Sequence, residues 1–137
     1  MKTISFHIVR VGLGITFLWI GVLILKEPMA WGGYLQPWAA GLLPMPLTQA
    51  MIATAILDIV IGFLFLVDFY TWLAALIAGL HIITVFIVSG ITDVTVRDIG
   101  IFTATLMLLN EGIPQNIRQS LVSQLQKQSP SSFPPQH

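Results

Sequence analysis

Residues 51–67 read MIATAILDIVIGFLFLV, a run in which Thr54, Asp58 and Gly62 are the only interruptions to large or small apolar side chains. Its length suits a helix crossing a hydrocarbon slab, which needs about 20 residues at 1.5 Å rise. An isolated apolar strand would leave its backbone groups unpaired in lipid, so helix is the state this run predicts. Asp58 lies near its middle. A carboxylate there costs roughly 2.5–3.5 kcal/mol on insertion scales, so it calls for a partner and a role.

Working outward, three more runs of this kind occur, at about residues 4–25, 71–89 and 96–113, with the central helix itself expected over 48–67. The last has an apolar middle, Ile99 to Leu109, bracketed by Arg97-Asp98 and Asn110-Glu111. Only 9% of the 137 residues are charged, against about 25% in a soluble domain, so a solvated surface is excluded for most of the chain. Six basic and six acidic residues balance, which removes the basic footprint that nucleic acid would need. The chain has no cysteine, so disulfides, thiol relays and cysteine-ligated metals are excluded. Arg10 interrupts the first run and no small-residue cleavage motif follows it, so this segment is expected to be a retained helix.

The expected architecture is an all-α integral membrane protein: a four-helix up-down-up-down bundle over residues 1–113, with an interfacial loop between the first two helices. That loop, residues 26–47, holds Gly32-Gly33, Pro37 and Pro44-Met45-Pro46, which forbid a continuous helix. Its Trp31, Tyr34 and Trp38 suit the headgroup zone, as do Tyr70 and Trp72 at the next turn. Short turns at 68–70 and 90–95 force antiparallel neighbours. Residues 114–137 read as a polar tail, disordered from about residue 128. Lys2, Arg118 and Lys127 fall on the side of the termini, with Arg10 just inside; Lys26 and Arg97 fall on the other, which favours cytoplasmic termini in a bacterial plasma membrane.

Small and polar residues recur at helical spacing on one stripe of each helix. They are His7, Arg10, Gly14, Phe17 and Gly21 in the first, and Thr54, Asp58 and Gly62 in the second. Ala74, Ala78, His81 and Thr84 or Val85 follow in the third, and Arg97, Ile101, Thr105 and Leu108 in the fourth. Small residues on such stripes let membrane helices approach closely, so a modestly polar seam is expected. Asp58 and His81 sit at one depth, and Arg10 about 6 Å toward the side of the termini. Arg10, Asp58 and His81 therefore form a candidate buried polar network, with Arg10 and His81 both open as partners of Asp58. Lys26, Arg97 and Asp98 form a second group near the opposite face, where Asp98 can equally be a helix-start acid. A structural lock between helices is the bland alternative for Asp58 and His81. His7 lies too far in depth from His81 for a bis-histidine haem, and no metal set is evident.

The chain resembles the DoxX-like family of small four-helix membrane proteins, from about Phe6 to Leu109. The resemblance rests on Arg10-Val-Gly12-Leu-Gly14, Phe17-Leu-Trp19-Ile-Gly21 and Lys26, then Leu57-Asp58-Ile59 with Gly62, then Arg97-Asp98-Ile99-Gly100. Where that family more often carries glutamate, this chain has Asp58. The family includes the membrane subunit of thiosulfate:quinone oxidoreductase, so the resemblance implies a quinone as cofactor or substrate. It assigns Asp58 or His81 as catalytic proton partners and Arg97 with Lys26 to an anionic substrate. Two other classes stay open at this point: a non-catalytic accessory subunit that binds a soluble or membrane partner, and a small proton or solute transporter built around the midplane acid.

Overall fold

In the computed structural model, which describes residues 3–128, every regular element is a helix. They are α1 (Ile4–Lys26), α2 (Pro28–Gly32), α3 (Pro37–Gly41), α4 (Leu47–Leu66), α5 (Thr71–Ser89), α6 (Thr95–Gly112) and α7 (Gln115–Gln128). Three of these, α1, α4 and α5, are long and apolar enough to cross a membrane. The start of α1 is set by Thr3, whose hydroxyl oxygen accepts the Phe6 amide at 3.2 Å, a standard N-cap. Pro28 and Pro37 each stand in the first turn of a one-turn helix, where the missing N–H is not needed. The proline- and glycine-rich connection is therefore two short helices with bends between them. The tail expected after Pro114 opens instead with α7; the disorder expected from about residue 128 falls outside the described residues.

Glycine sets the closest helix contact. A Cβ built on Gly62 would lie 2.7 Å from the Gly14 carbonyl oxygen and 2.7 Å from the Leu18 nitrogen, so α4 touches the backbone of α1. One on Gly21 would lie 2.8 Å from the Ala55 carbonyl oxygen. As numbering rises along α1 it falls along α4, so the two run antiparallel. The second tight pair is α5 with α6, where Gly79 faces Thr105 and Gly112 lies against Trp72. Packing between the two pairs, α4 on α5 and α1 on α6, is sparser.

This pairing divides the interior into two halves. Toward the chain termini, Phe6, Leu13, Phe17, Ile61, Phe65, Ala74, Ala78 and Leu108 fill a continuous apolar core. Toward the 27–46 connection, the apolar core shrinks to a smaller group around Ile24, Met51 and Ala55, and the pairs separate around a cavity. The turns hold the pairs in register. Asp68 and Tyr70 take positive φ angles of 54° and 45° between α4 and α5, and the Thr71 hydroxyl donates to Asp68 Oδ1 at 2.6 Å. After α5, Thr95 Oγ1 donates to the Gly90 carbonyl at 2.8 Å and accepts the Thr92 amide at 2.7 Å.

Gly90 has φ +72° and ψ −165°, a conformation open essentially to glycine, and a Cβ there would meet Gln36 Nε2 at 3.1 Å. Gly90→Ala is expected to lower stability by about 1–3 kcal/mol, from backbone strain. Thermal unfolding in detergent checks this; a variant as stable as the wild type would mean the turn relaxes freely.

Candidate functional site

Asp58 is 3% exposed, on the inner face of α4 one turn before Gly62. Its Oδ1 lies 3.2 Å from His81 Nε2 on α5, which the helical stripe places at the matching level. Apart from His81, that oxygen is enclosed and receives no hydrogen bond among the described residues. A buried carboxylate oxygen in this condition is costly unless a further donor meets it. The pair can hold or pass one proton between Oδ1 and Nε2.

Arg10 does not join the pair. It is 8% exposed, and its Nη1 donates to the Phe65 and Leu66 carbonyls, the latter at 2.9 Å, with Nε 3.7 Å from Asp68 Oδ1. The physical reason is direction: a helical side chain leans toward its own N-terminus, which carries Arg10 away from Asp58 toward the end of α4. There the last carbonyls of α4 lack helical partners and carry partial negative charge, so a cation caps them from the neighbouring helix. The expected three-residue network is thus a pair and a separate cap. His7 is exposed, and Phe6 takes the inward place next to it.

Asp58 and His81 form the floor of a cavity of about 280 Å³ that extends toward the 27–46 connection. Arg97 and Asp98 line the same cavity, so the two groups expected to be separate share one space. They do so because the helix pairs diverge on this side, which no single helix records. Arg97 Nε stands 3.5 Å from Asp98 Oδ1, and its guanidinium carbon lies 5.9 Å from the Trp31 ring centre. Lys26, expected with them, is exposed at the end of α1 and does not line the cavity.

Most of the remaining wall is apolar, with Phe17, Ile20 and Ile24 from α1, Met51 from α4, and Ile82, Val85 and Val88 from α5. An apolar cavity of about 150 Å³ already admits benzene, so this one has room for a substituted ring.

The connection forms the roof. Trp31, Tyr34, Leu35, Ala39 and Leu43 face the cavity, and Gln36 ties the roof to α5. The Gln36 amide donates to the Val88 carbonyl at 2.8 Å, and its side-chain Nε2 to the Ser89 carbonyl at 3.5 Å. Of the aromatic anchors expected, Trp31 and Tyr34 are therefore roof residues, while Trp38 and Tyr70 are about half exposed and Trp72 packs on α6. Gln36 and Leu35 carry no sequence signal of this role. Only the neighbouring Pro37, as a helix start, hints that Gln36 is a bend with its backbone groups free to bond elsewhere.

Fold and site thus define an all-helical protein with membrane-compatible helices and an acid–histidine pair facing a largely apolar cavity. No protein-family profile, curated protein or solved structure matches the chain.

Proposed function

We propose that α1, α4, α5 and α6 all cross the bilayer as an up-down-up-down bundle, and that the chain is a DoxX-like membrane subunit linked to quinone-dependent oxidoreduction. The observation that carries this reading is the enclosed Asp58 beside His81 at the floor of an otherwise apolar, ring-sized cavity. A quinone head is a flat apolar ring with two carbonyl acceptors, and it fits a site with few, well-placed polar groups. Its reduction consumes two electrons and two protons. The electrons would come from a partner redox subunit or its substrate; the Asp58–His81 pair would deliver one proton to the nearer carbonyl and be reprotonated from water, and the second proton would reach the other carbonyl from water on the roof side. Arg97 at the roof would attract an anionic substrate.

The less apolar α6 can span because its charged residues sit at its ends, with Arg97 and Asp98 turned to the cavity and Glu111 at the far turn. The side carrying the termini holds Arg118 and Lys127, which favours a cytoplasmic location for them in a bacterial plasma membrane.

Native mass spectrometry of the gently extracted protein tests the reading. Wild type is expected to retain a quinone. Asp58→Asn, which keeps shape and removes the acid, is expected to lose about tenfold in quinone affinity, or about 1.4 kcal/mol, without unfolding. An Asp58→Asn variant that binds quinone normally but unfolds earlier would make the pair a helix lock and end the proposal.

A second reading, a non-catalytic accessory subunit, has one observation in its favour. Helix α7 leaves the bundle and exposes Leu121, Val122 and Leu125, a face that a partner subunit can cover. A stoichiometric partner that co-purifies without quinone, and is lost on Leu121→Glu with Leu125→Glu, would favour it.

A further inference from the structure

The cavity is closed on three sides. Its floor rests on the core at Phe17 and Ile82, which are 3% and 5% exposed. Its roof is held down on α5 through Gln36. On the α1 side, Ile24 is 4% exposed and the glycine contacts seal α1 against α4. The remaining sides include the two sparser seams between the helix pairs, α1 with α6 and, beside the Asp58–His81 pair, α4 with α5. Among the described residues, the Asp58–His81 contact is the polar contact that joins these two helices.

One turn closer to the roof, no hydrogen bond joins the two helices among the described residues. Thr54 on α4 donates its hydroxyl to the Ala50 carbonyl at 3.1 Å, and Thr84 on α5 donates to the Leu80 carbonyl at 3.0 Å. Both hydroxyls are thus used within their own helices, and both residues line the cavity. Thr84 is at the same time exposed on the outer surface, so the wall there is open. The outer face of α5 beside it is apolar, with Leu80 and Ile87 exposed.

We propose that the cavity is loaded sideways, from the hydrocarbon of the bilayer, through a portal between α4 and α5 bounded by Thr54 and Thr84. The ligand class follows from the route. It is a membrane-dissolved amphiphile with a flat apolar head and a hydrogen-bonding group that reaches Asp58 and His81, its tail trailing through the seam into lipid. The proposal rests on the reading of the cavity as a ligand site in a bilayer-spanning bundle, but not on the ligand being a quinone.

The absence of native cysteine makes the seam easy to close. Positions 54 and 85 lie four residues from Asp58 and His81 on antiparallel helices, so they face each other one turn above the pair. Thr54→Cys with Val85→Cys, in phosphatidylcholine nanodiscs, is to be bridged with a short bis-thiosulfonate. The probe is a small apolar aryl diazirine dissolved in the lipid, photolysed and mapped by mass spectrometry. Asp58 and Ile82 are expected to be labelled in the wild type and in the reduced variant, and their labelling lost when the seam is bridged, then regained on reduction. Thr84→Trp, which plugs the seam without a cross-link, is expected to lose the same label. A bridge across the roof at its existing tie to α5, Gln36→Cys with Ser89→Cys, is expected to leave labelling intact. Labelling that persists with the seam bridged and plugged, that falls only with the roof bridged, or that never reaches Asp58 or Ile82 in the wild type overturns the portal. Because the probe is no quinone, seam-dependent labelling in a protein that retains no quinone removes the quinone reading and leaves the portal standing.

Discussion

Gly62→Leu is expected to abolish the native bundle, and Gly62→Ala to lower its stability by about 2 kcal/mol in a mixed-micelle unfolding titration. The contacts of Gly62 explain why even one methyl group is too much. Its Cβ would sit 2.7 Å from a carbonyl oxygen and 2.7 Å from an amide nitrogen of α1, and 2.8 Å from Leu18 Cγ. Two of those three neighbours are backbone, so α1 and α4 must move apart, and the Gly14 and Gly21 contacts loosen with them. In lipid, packing of this kind supplies much of the association between helices, because burying apolar surface there offers no gain over lipid tails. The control is internal. Gly12 and Gly100 have nothing within 4 Å of an added Cβ, so Gly12→Ala and Gly100→Ala are expected to be neutral or to gain up to about 1 kcal/mol from helix propensity. If Gly62→Ala proves as stable as Gly12→Ala, the close crossing of α1 and α4 is wrong.

Arg10→Met is expected to cost about 3 kcal/mol in the same titration. Methionine keeps most of the length and apolar stem but removes the side-chain donor to the Leu66 carbonyl and leaves the carbonyl of the fully buried Phe65 with only the long bond from the Asp68 amide, 3.4 Å. Arg10→Lys is expected to fall between, since an ammonium cannot reproduce the planar fork that spans two carbonyls. Asp68→Asn is expected to cost under about 1 kcal/mol, because Asp68 is partly exposed and solvent screens its share of the interaction. A double-mutant cycle separates this cap from the alternative in which Arg10 serves Asp58. With no shared contact, Arg10→Met and Asp58→Asn should add to within about 0.5 kcal/mol. A larger coupling would return Arg10 to the Asp58 site.

The helices were legible because their signal is local. A run such as residues 71–89 declares its state by length and apolarity, and the Pro, Gly and aromatic content of residues 27–46 declares an interruption. The meeting of Asp58 with His81 was open to inference by depth counting, since both lie near the middle of their helices. The Arg10 cap was harder to see. Its partners are the carbonyls of Phe65 and Leu66, and a backbone acceptor leaves no trace in residue identity. The roof was hidden for the same reason, because Gln36 is bound through its own amide to the Val88 carbonyl. Helix α7 was masked by composition: its polar residues outnumber Ile117, Leu121, Val122 and Leu125, and a count of polarity suggests a tail before a helix.

By itself, then, the sequence determined an all-helical chain, membrane-compatible helices over α1, α4 and α5, and one costly acid on the inner stripe of the second long helix. These follow from short-range periodicity and from the energetic cost of unpaired groups in lipid. Only the tertiary structure decided that Arg10 serves the end of α4, that Arg97 and Asp98 share a cavity with Asp58 and His81, and that Lys26 stands outside it. Each of these depends on how two tight helix pairs diverge. That divergence is set by where glycine allows backbones to touch and where larger side chains hold them apart, and it is a property of paired surfaces that no single helix carries.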